Sequence, residues 1–425
     1  VAENGKTPPV AITLKYGKQS ISAPVPPGWN VRTAHTPHAL PIASPQERLS
    51  AFLENPVHCR PFDAVFAEKQ SVAVIVPDIT RKAGVKTLLP IIMDRLEGLG
   101  IPADRLKIVF ATGIHSAQTE EQKRQIAGNA MFERYACIEH DCRGEFSDKG
   151  GFAINRHVAE ADGLVVIGAV KAHYLAGFSG GRKAILPGVS TYGHCLEFHR
   201  LCMNPAGPGR HPGVGPGKLA GNPMHEKATL AARSAGVDFL VNTVLDEEEN
   251  FIFINAGDLE TSFAQACRFA AGYQIVPVGQ RASAAIVSCG GWPLDINFIQ
   301  AHKALDAAFG AVKPGGAILL AAECAGGTGN PGFLKWFDYG PSALMEAELR
   351  RNFVINGQTA YATREKTEGA RVALLSRLGA DDARRMGMTP VGSLEEGLAF
   401  CEKSAEENAD VLVIPDGGLT LPSAE

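Results

Sequence analysis

The chain has 425 residues, 45% hydrophobic and 20% charged, with a formal net charge of −4; such a chain builds two or three globular domains and needs no metal or disulfide staple. The slight acidic balance argues against a general nucleic-acid binder, which carries a basic excess, and no apolar run reaches the ~18 residues of a membrane span. Nine scattered cysteines without a CxxC pair point to reduced thiols in the cytoplasm rather than a disulfide framework or zinc finger.

Residues 1–16 lack the long apolar stretch of a signal peptide. Residues 10–16 and 19–25, joined at Gly17-Lys18, read as a β-hairpin. Ser44 is placed to cap a helix through Leu53. From Ser71 the pattern becomes strand, loop, helix. The continuous apolar run 72–76 suits a strand covered on both faces. A helix over 85–99, a strand over 106–111, a helix over 119–126, and strands over 135–139 and 164–170 follow. Gly and Pro recur through 204–223, which predicts an irregular loop or lid. A helix over 226–235 resumes the alternation. A second unit begins near 272–279, with strands over 284–288, 317–321, 372–376 and 410–414. Its helices fall over 298–309, 343–351 and 394–404. The reading is two α/β domains with largely parallel sheets, 1–272 and a Rossmann-like 273–425, with an active-site cleft between them.

Several predicted strands end in polar residues. The 72–76 strand runs into Asp78-Ile79-Thr80-Arg81, the 106–111 strand into Gly113-Ile114-His115, and the 164–170 strand into Lys171-Ala172-His173-Tyr174. The 284–288 strand runs into Gly290-Gly291-Trp292, with Gln300 and Lys303 just beyond. Parallel sheets bind ligands at the carboxyl ends of their strands. Asp78 suits a helix cap as well as a site carboxylate. Arg81 has the fork for a carboxylate or phosphate. His115 and His173 stand out from the other histidines because each follows a strand beside a glycine turn. Tyr174, Phe178, Trp292 and Phe298 suit either an apolar pocket or plain packing.

The segment Gly177-Phe178-Ser179-Gly180-Gly181-Arg182-Lys183 is glycine-rich and basic. Its glycines, Gly180 and Gly181 among them, allow close approach of backbone N–H groups to a phosphate, yet the Walker A spacing is absent and a plain turn fits nearly as well. Lys183 suits a point charge or a covalent anchor, and spacing does not choose between them. His194 and His199 lie five residues apart, a poor interval for two ligands on one helix. A metal here takes one histidine and finds its other donors outside ordinary side chains.

The run Lys171-Ala172-His173-Tyr174-Leu175-Ala176-Gly177-Phe178-Ser179-Gly180-Gly181-Arg182-Lys183, then Leu186-Pro187-Gly188-Val189, resembles the signature of the lactate racemase family, whose members use a nickel-pincer nucleotide. The Asp78–Arg81 turn, His115, His199 and the Gln300/Lys303 pair occur in the family's order, so the resemblance spans about residues 70 to 305. It implies that Lys183 carries the cofactor covalently. His199 then completes a planar Ni(II) site whose other donors, two sulfurs and a carbon, belong to the cofactor. His115 and His173 correspond to two acid/bases, and Arg81, Gln300 and Lys303 to substrate-binding residues. Asp78, Thr80, Gly180 and Gly181 correspond to the cofactor's surroundings. The implied activity is racemisation of a 2-hydroxy acid through hydride removal, with cofactor-making enzymes as maturation partners. The neighbouring expectation is a sugar-acid C2-epimerase with the same cofactor. Outside this class stand a non-catalytic nucleotide- or phosphate-binding protein, which predicts no nickel, and a metal hydrolase, which predicts zinc.

Overall fold

The computed structural model describes residues 11–403 and 409–424. Two compact units divide the chain, one of residues 38–273 and one that joins residues up to 37 with those from 274 onward.

The 38–273 unit is built on a six-stranded sheet. Its order is Phe251–Gly257, Phe239–Leu245, Gly163–Ala169, Val72–Pro77, Leu106–Ala111, Ala136–Glu139. All pairings are parallel except that between Phe251–Gly257 and Phe239–Leu245. The central strands are apolar at nearly every position because both faces are covered. Val72, Val74 and Val76 pack with Leu88, Leu89, Ile92 and Leu96 of the Val85–Gly98 helix.

The second unit has a six-stranded, wholly parallel sheet, ordered Thr389–Val391, Arg371–Leu375, Val312–Ala321, Ala282–Ser288, Asp410–Ile414, Asn30–Thr33. The expectation that the first domain is continuous from residue 1 is therefore corrected for residues 11–37. Asn30–Thr33 is an edge strand of the second sheet, with Asn30 N–H donating to Ala409 and Ala34 N–H to Val413. The hairpin Ala11–Tyr16/Gln19–Pro24 buries alternate residues, Ile12, Leu14 and Tyr16, in the same core as Ile286 and Leu319. That alternation is the period of a half-covered strand, and its apolar face belongs with the second unit.

The other predicted strands and helices form near their expected positions. Val10 and Ser404, at the ends of two predicted elements, lie outside the described residues. The helix expected to start at Glu226 begins at Pro223, whose missing N–H is harmless in a first turn. Between residues 201 and 222 there are only turns and one isolated bridge, Met203–Arg210.

Candidate active site

Three neighbouring parallel strands, Gly163–Ala169, Val72–Pro77 and Leu106–Ala111, deliver their following loops to one sheet edge. After Val72–Pro77 the chain turns tightly. Thr80 donates to Asp78 Oδ1 from its backbone N–H at 2.9 Å and its hydroxyl at 2.6 Å, and Arg81 N–H donates to the Asp78 carbonyl at 3.0 Å. Asp78 is thus not a helix cap; the next helix begins beyond it, at Val85. Its other oxygen, Oδ2, lies 2.5 Å from His115 Nδ1, while Asp78 is 4% exposed and the His115 side chain 40%. Burial alone pushes the Asp78 carboxyl up, but the hydrogen bond and charge of His115, then Arg81 and Thr80, outweigh it and hold the carboxyl below its ordinary value. Asp78 is therefore an anion, acceptor-only, and the proton between it and His115 sits on Nδ1.

The Lys183 segment abuts this pair. Gly113, in the His115 turn, donates to the Gly188 carbonyl at 2.9 Å, and Gly188 donates to the Lys183 carbonyl at 3.0 Å. Lys183 lies in the 3-10 turn Gly181–Ala184. The two preceding glycines are accounted for by the fold. Gly180 has φ +76° and a Cβ there would stand 2.8 Å from the Ala169 carbonyl oxygen; Gly181 has φ +51° and a Cβ would stand 2.7 Å from the Phe263 ring.

His199 sits in the last turn of the Tyr192–Arg200 helix, which Thr191 caps by accepting from His194 N–H. Its Nδ1–H donates to the Cys195 carbonyl at 2.7 Å, and the Cys195 thiol faces the Pro187 carbonyl at 3.4 Å. Burial pulls the imidazole down to about 4 against the Cys195 hydrogen bond, and the charges of Lys183 and His115 push the same way. Lys183, His115 and His199 thus share one electrostatic neighbourhood. His194, which packs on the Phe152 ring at 5.8 Å between centroids, is not part of it.

His173 follows the Gly163–Ala169 strand on the small hairpin Ala172–His173/Gly177–Phe178. Its Nδ1 accepts from the backbone N–H groups of Leu175 at 3.2 Å and Ala176 at 3.1 Å. Arg182 fastens this hairpin to the Lys183 turn. It is 1% exposed. Nη2 donates to the Ala176 carbonyl at 2.9 Å, Nη1 to Phe178 at 3.0 Å, and Nε to His225 Nδ1 at 3.0 Å. The guanidinium also covers the Phe263 ring at 4.4 Å. Of the two charges in this basic run, that of Arg182 faces inward.

Gln300 and Lys303 belong to the other unit, one turn apart on the Phe298–Ala311 helix, with Lys303 Nζ donating to Gln300 Oε1 at 2.7 Å. Among the suggested pocket aromatics, Phe178 and Phe298 are fully buried packing residues, Trp292 is exposed, and Tyr174 stacks on His173.

These residues suit a tethered metal cofactor. His199 presents a neutral ring fixed at Nδ1, which leaves Nε2 as the nitrogen for a ligand. Among the described residues no three His, Cys, Asp or Glu side chains gather into a metal-holding group. A single imidazole beside one lysine therefore matches a metal that arrives with donors of its own.

Comparison with known proteins defines the class: an isomerase, of racemase type, on two α/β units. The model for the lactate racemase N-terminal domain matches residues 16–208, and that for the lactate racemase C-terminal domain matches 278–420. The chain belongs to the lactate racemase family. It is 33% identical to the lactate racemase of Lactiplantibacillus plantarum, over 96% of this chain and 98% of that one. It is 30% identical to the lactate racemase of Thermoanaerobacterium thermosaccharolyticum, over 88% and 89%. The apoprotein structure of lactate racemase from the latter organism superposes with a TM-score of 0.87 at 28% identity, covering 97% of this chain and all of that one. A Thermotoga maritima protein shares the fold, with a TM-score of 0.62 at 16% identity, over 91% of this chain and all of that one. No helix among the described residues is long and apolar enough to cross a membrane.

Proposed function

We propose that the chain inverts C2 of a small 2-hydroxy acid, lactate foremost, with a nickel-pincer nucleotide held covalently on Lys183 and ligated by His199. The observation that carries this reading is the grouping of a neutral, half-buried His199 with Lys183 and the carboxylate-bound His115. When bound, the cofactor supplies a hydride acceptor, which removes the need to form a carbanion at a weakly acidic C–H. The chain's own residues supply charge, position and proton handling. Arg81, with Gln300 and Lys303, binds the substrate carboxylate; the guanidinium fork and the ammonium both suit that charge. His115 and His173 act on the C2 hydroxyl, as the acid/base pair of the reaction. Asp78 and Thr80 shape the turn next to the cofactor, and Gly180 and Gly181, packed against the Ala169 carbonyl and the Phe263 ring, set the course of the Lys183 turn that holds it. Cofactor-making enzymes are the maturation partners. The nine cysteines, all unbonded, favour a reducing, cytoplasmic setting.

Intact mass and metal analysis test this reading after co-expression with cofactor-making enzymes. The expected result is a covalent adduct on Lys183 and one nickel per chain; an unmodified chain overturns it. His199→Ala is expected to lose nickel and keep the organic adduct, because attachment and ligation use different residues. Chiral chromatography over a panel of 2-hydroxy acids on the loaded protein then names the substrate. Inversion of sugar acids in preference to lactate assigns the epimerase activity instead.

A further inference from the structure

We infer that Gln118 and Thr243 are positioning residues that clamp residues 79–83 from both ends and so hold Arg81 where it meets the substrate carboxylate. The role of Arg81 rests on the racemase reading above; the clamp rests on hydrogen bonds within the 38–273 unit.

The first attachment is at Ile79, whose backbone N–H donates to Gln118 Oε1 at 2.7 Å. A backbone N–H cannot accept, so the amide must turn its oxygen to it. Gln118 stands three residues after His115 and is 8% exposed. It is braced from the neighbouring strand: its own N–H donates to the Glu139 carboxylate, whose other oxygen lies 3.0 Å from Lys123 Nζ. Gln118 Nε2 is buried and has no hydrogen-bond partner among the described residues. The side chain therefore serves as an acceptor, and it keeps that place although its donor goes unused, an arrangement that buried amides rarely tolerate without a reason.

The second attachment is at Ala83, whose carbonyl accepts from the Thr243 hydroxyl at 3.2 Å. Thr243 is fully buried in the Phe239–Leu245 strand. Its own carbonyl accepts from Val170 N–H at 2.8 Å, which ties that strand to the end of its neighbour. Gly84 follows with φ +66°, and a Cβ there would stand 2.0 Å from the Phe251 ring. The chain thus leaves the segment through a position that only glycine fits.

Sheet order gives these attachments their leverage. Gln118 follows Leu106–Ala111, on one side of Val72–Pro77, while Thr243 lies two strands away on the other side, beyond Gly163–Ala169. The segment is strung across the sheet edge between them, and Arg81 stands midway, two residues from each attachment. The bonds among Asp78, Thr80 and Arg81 are local to the turn and do not fix its direction over the sheet. The Lys82–Glu249 ion pair is exposed and adds little.

The carboxylate of a 2-hydroxy acid keeps its charge while C2 passes between the hydroxyl and keto levels. A contact to it is equally strong in the ground and transition states, so a misplaced Arg81 weakens binding without slowing the chemistry. A residue that served the fold alone would lower the urea midpoint and leave KM unmoved.

Three variants test the clamp. Thr243→Val keeps the shape and removes the hydroxyl, Thr243→Ser keeps the hydroxyl, and Gln118→Met removes the acceptor together with the unused donor. In cofactor-free protein, hydrogen exchange of peptides covering residues 78–84 should quicken in Thr243→Val and Gln118→Met and match wild type in Thr243→Ser. In cofactor-loaded protein, KM for the inverted 2-hydroxy acid should rise about tenfold in Thr243→Val and in Gln118→Met, the worth of about one hydrogen bond, with kcat close to that of wild type. Thr243→Ser should keep the wild-type KM. The two disruptive variants lie on opposite flanks, so if one fails to fold the other decides. Unchanged exchange overturns the clamp. Quickened exchange with an unchanged KM, or a KM raised as far by Thr243→Ser as by Thr243→Val, overturns the positioning role. So does an equal fall in kcat and kcat/KM, which places the effect on the reacting groups instead. Failure of the racemase reading looks different: loaded wild type inverts no 2-hydroxy acid while the exchange pattern appears as described.

Discussion

Arg182 and Lys183 are neighbours of like charge with opposite surroundings. The Arg182 guanidinium is enclosed, its donors directed to two carbonyls and an imidazole, and burial pulls it down to about 10. It remains a cation at neutral pH, held by peptide dipoles and the face of Phe263. Replacing it with lysine keeps the charge but cannot reproduce three diverging bonds. Arg182→Lys is expected to cost roughly 3–5 kcal/mol through unpaired buried acceptors, read as a lower urea midpoint with unchanged slope. The sequence displayed the charge but not its direction, since consecutive residues in a tight turn face different ways. It also displayed Asp78 and His115 separately. Their contact comes from the adjacency of two strands, which spacing along the chain does not encode.

Strands with continuous apolar runs were legible, because a buried parallel sheet needs such runs. Elements without that signature were not. The helix Ile355–Gly369 buries Gln358, Thr359, Thr363 and Lys366, with Lys366 paired to Asp306 at 2.7 Å; a polar buried face leaves no apolar stripe to read. The hairpin Phe146–Lys149/Phe152–Asn155 is only four residues a side. The glycine-rich stretch after Arg200 was legible as irregular, but not its attachment, where Gly217 N–H donates to the Gly177 carbonyl at 3.0 Å. Gly177 has φ +77°, and a Cβ there would stand 2.1 Å from the Lys218 carbonyl oxygen. Gly177→Ala should therefore displace the His173 hairpin from that stretch at about 1–3 kcal/mol. The measurements are urea unfolding and the His173 nitrogen signals, which should shift while those of His115 stay.

Across both units, buried histidines set the acid limit of the fold. Burial draws His140 and His225 down to about 4 and His302 to about 3. Each is neutral when folded and titrates near 6.5 when unfolded. Between those values the unfolded chain binds more protons, so stability is full above pH ~6.5 and falls as pH drops toward 4. Thermal midpoints taken from pH 7.5 to 4.5 should hold level down to about pH 6.5 and decline below it; His140→Gln should flatten the decline, and an unchanged slope would remove His140 from it. The unit boundary was the least legible feature. Asn30–Thr33 is too short and too little buried to announce its sheet, and the family's N-terminal match, starting at residue 16, runs across the division after residue 37.

That outlying edge strand has a further consequence during synthesis. Arg32 meets Asp410 across 378 positions of chain, through paired hydrogen bonds of 2.8 and 2.6 Å. On a ribosome working from the amino end, the hairpin Ala11–Tyr16/Gln19–Pro24 and the strand Asn30–Thr33 must wait until Asp410–Ile414 has been made, while the 38–273 body already has its full complement of strands. Nascent chains arrested near residue 320 should therefore yield a trypsin-resistant 38–273 fragment with a still-cleavable 11–37 segment, and that segment should become resistant only once Asp410–Ile414 has left the ribosome.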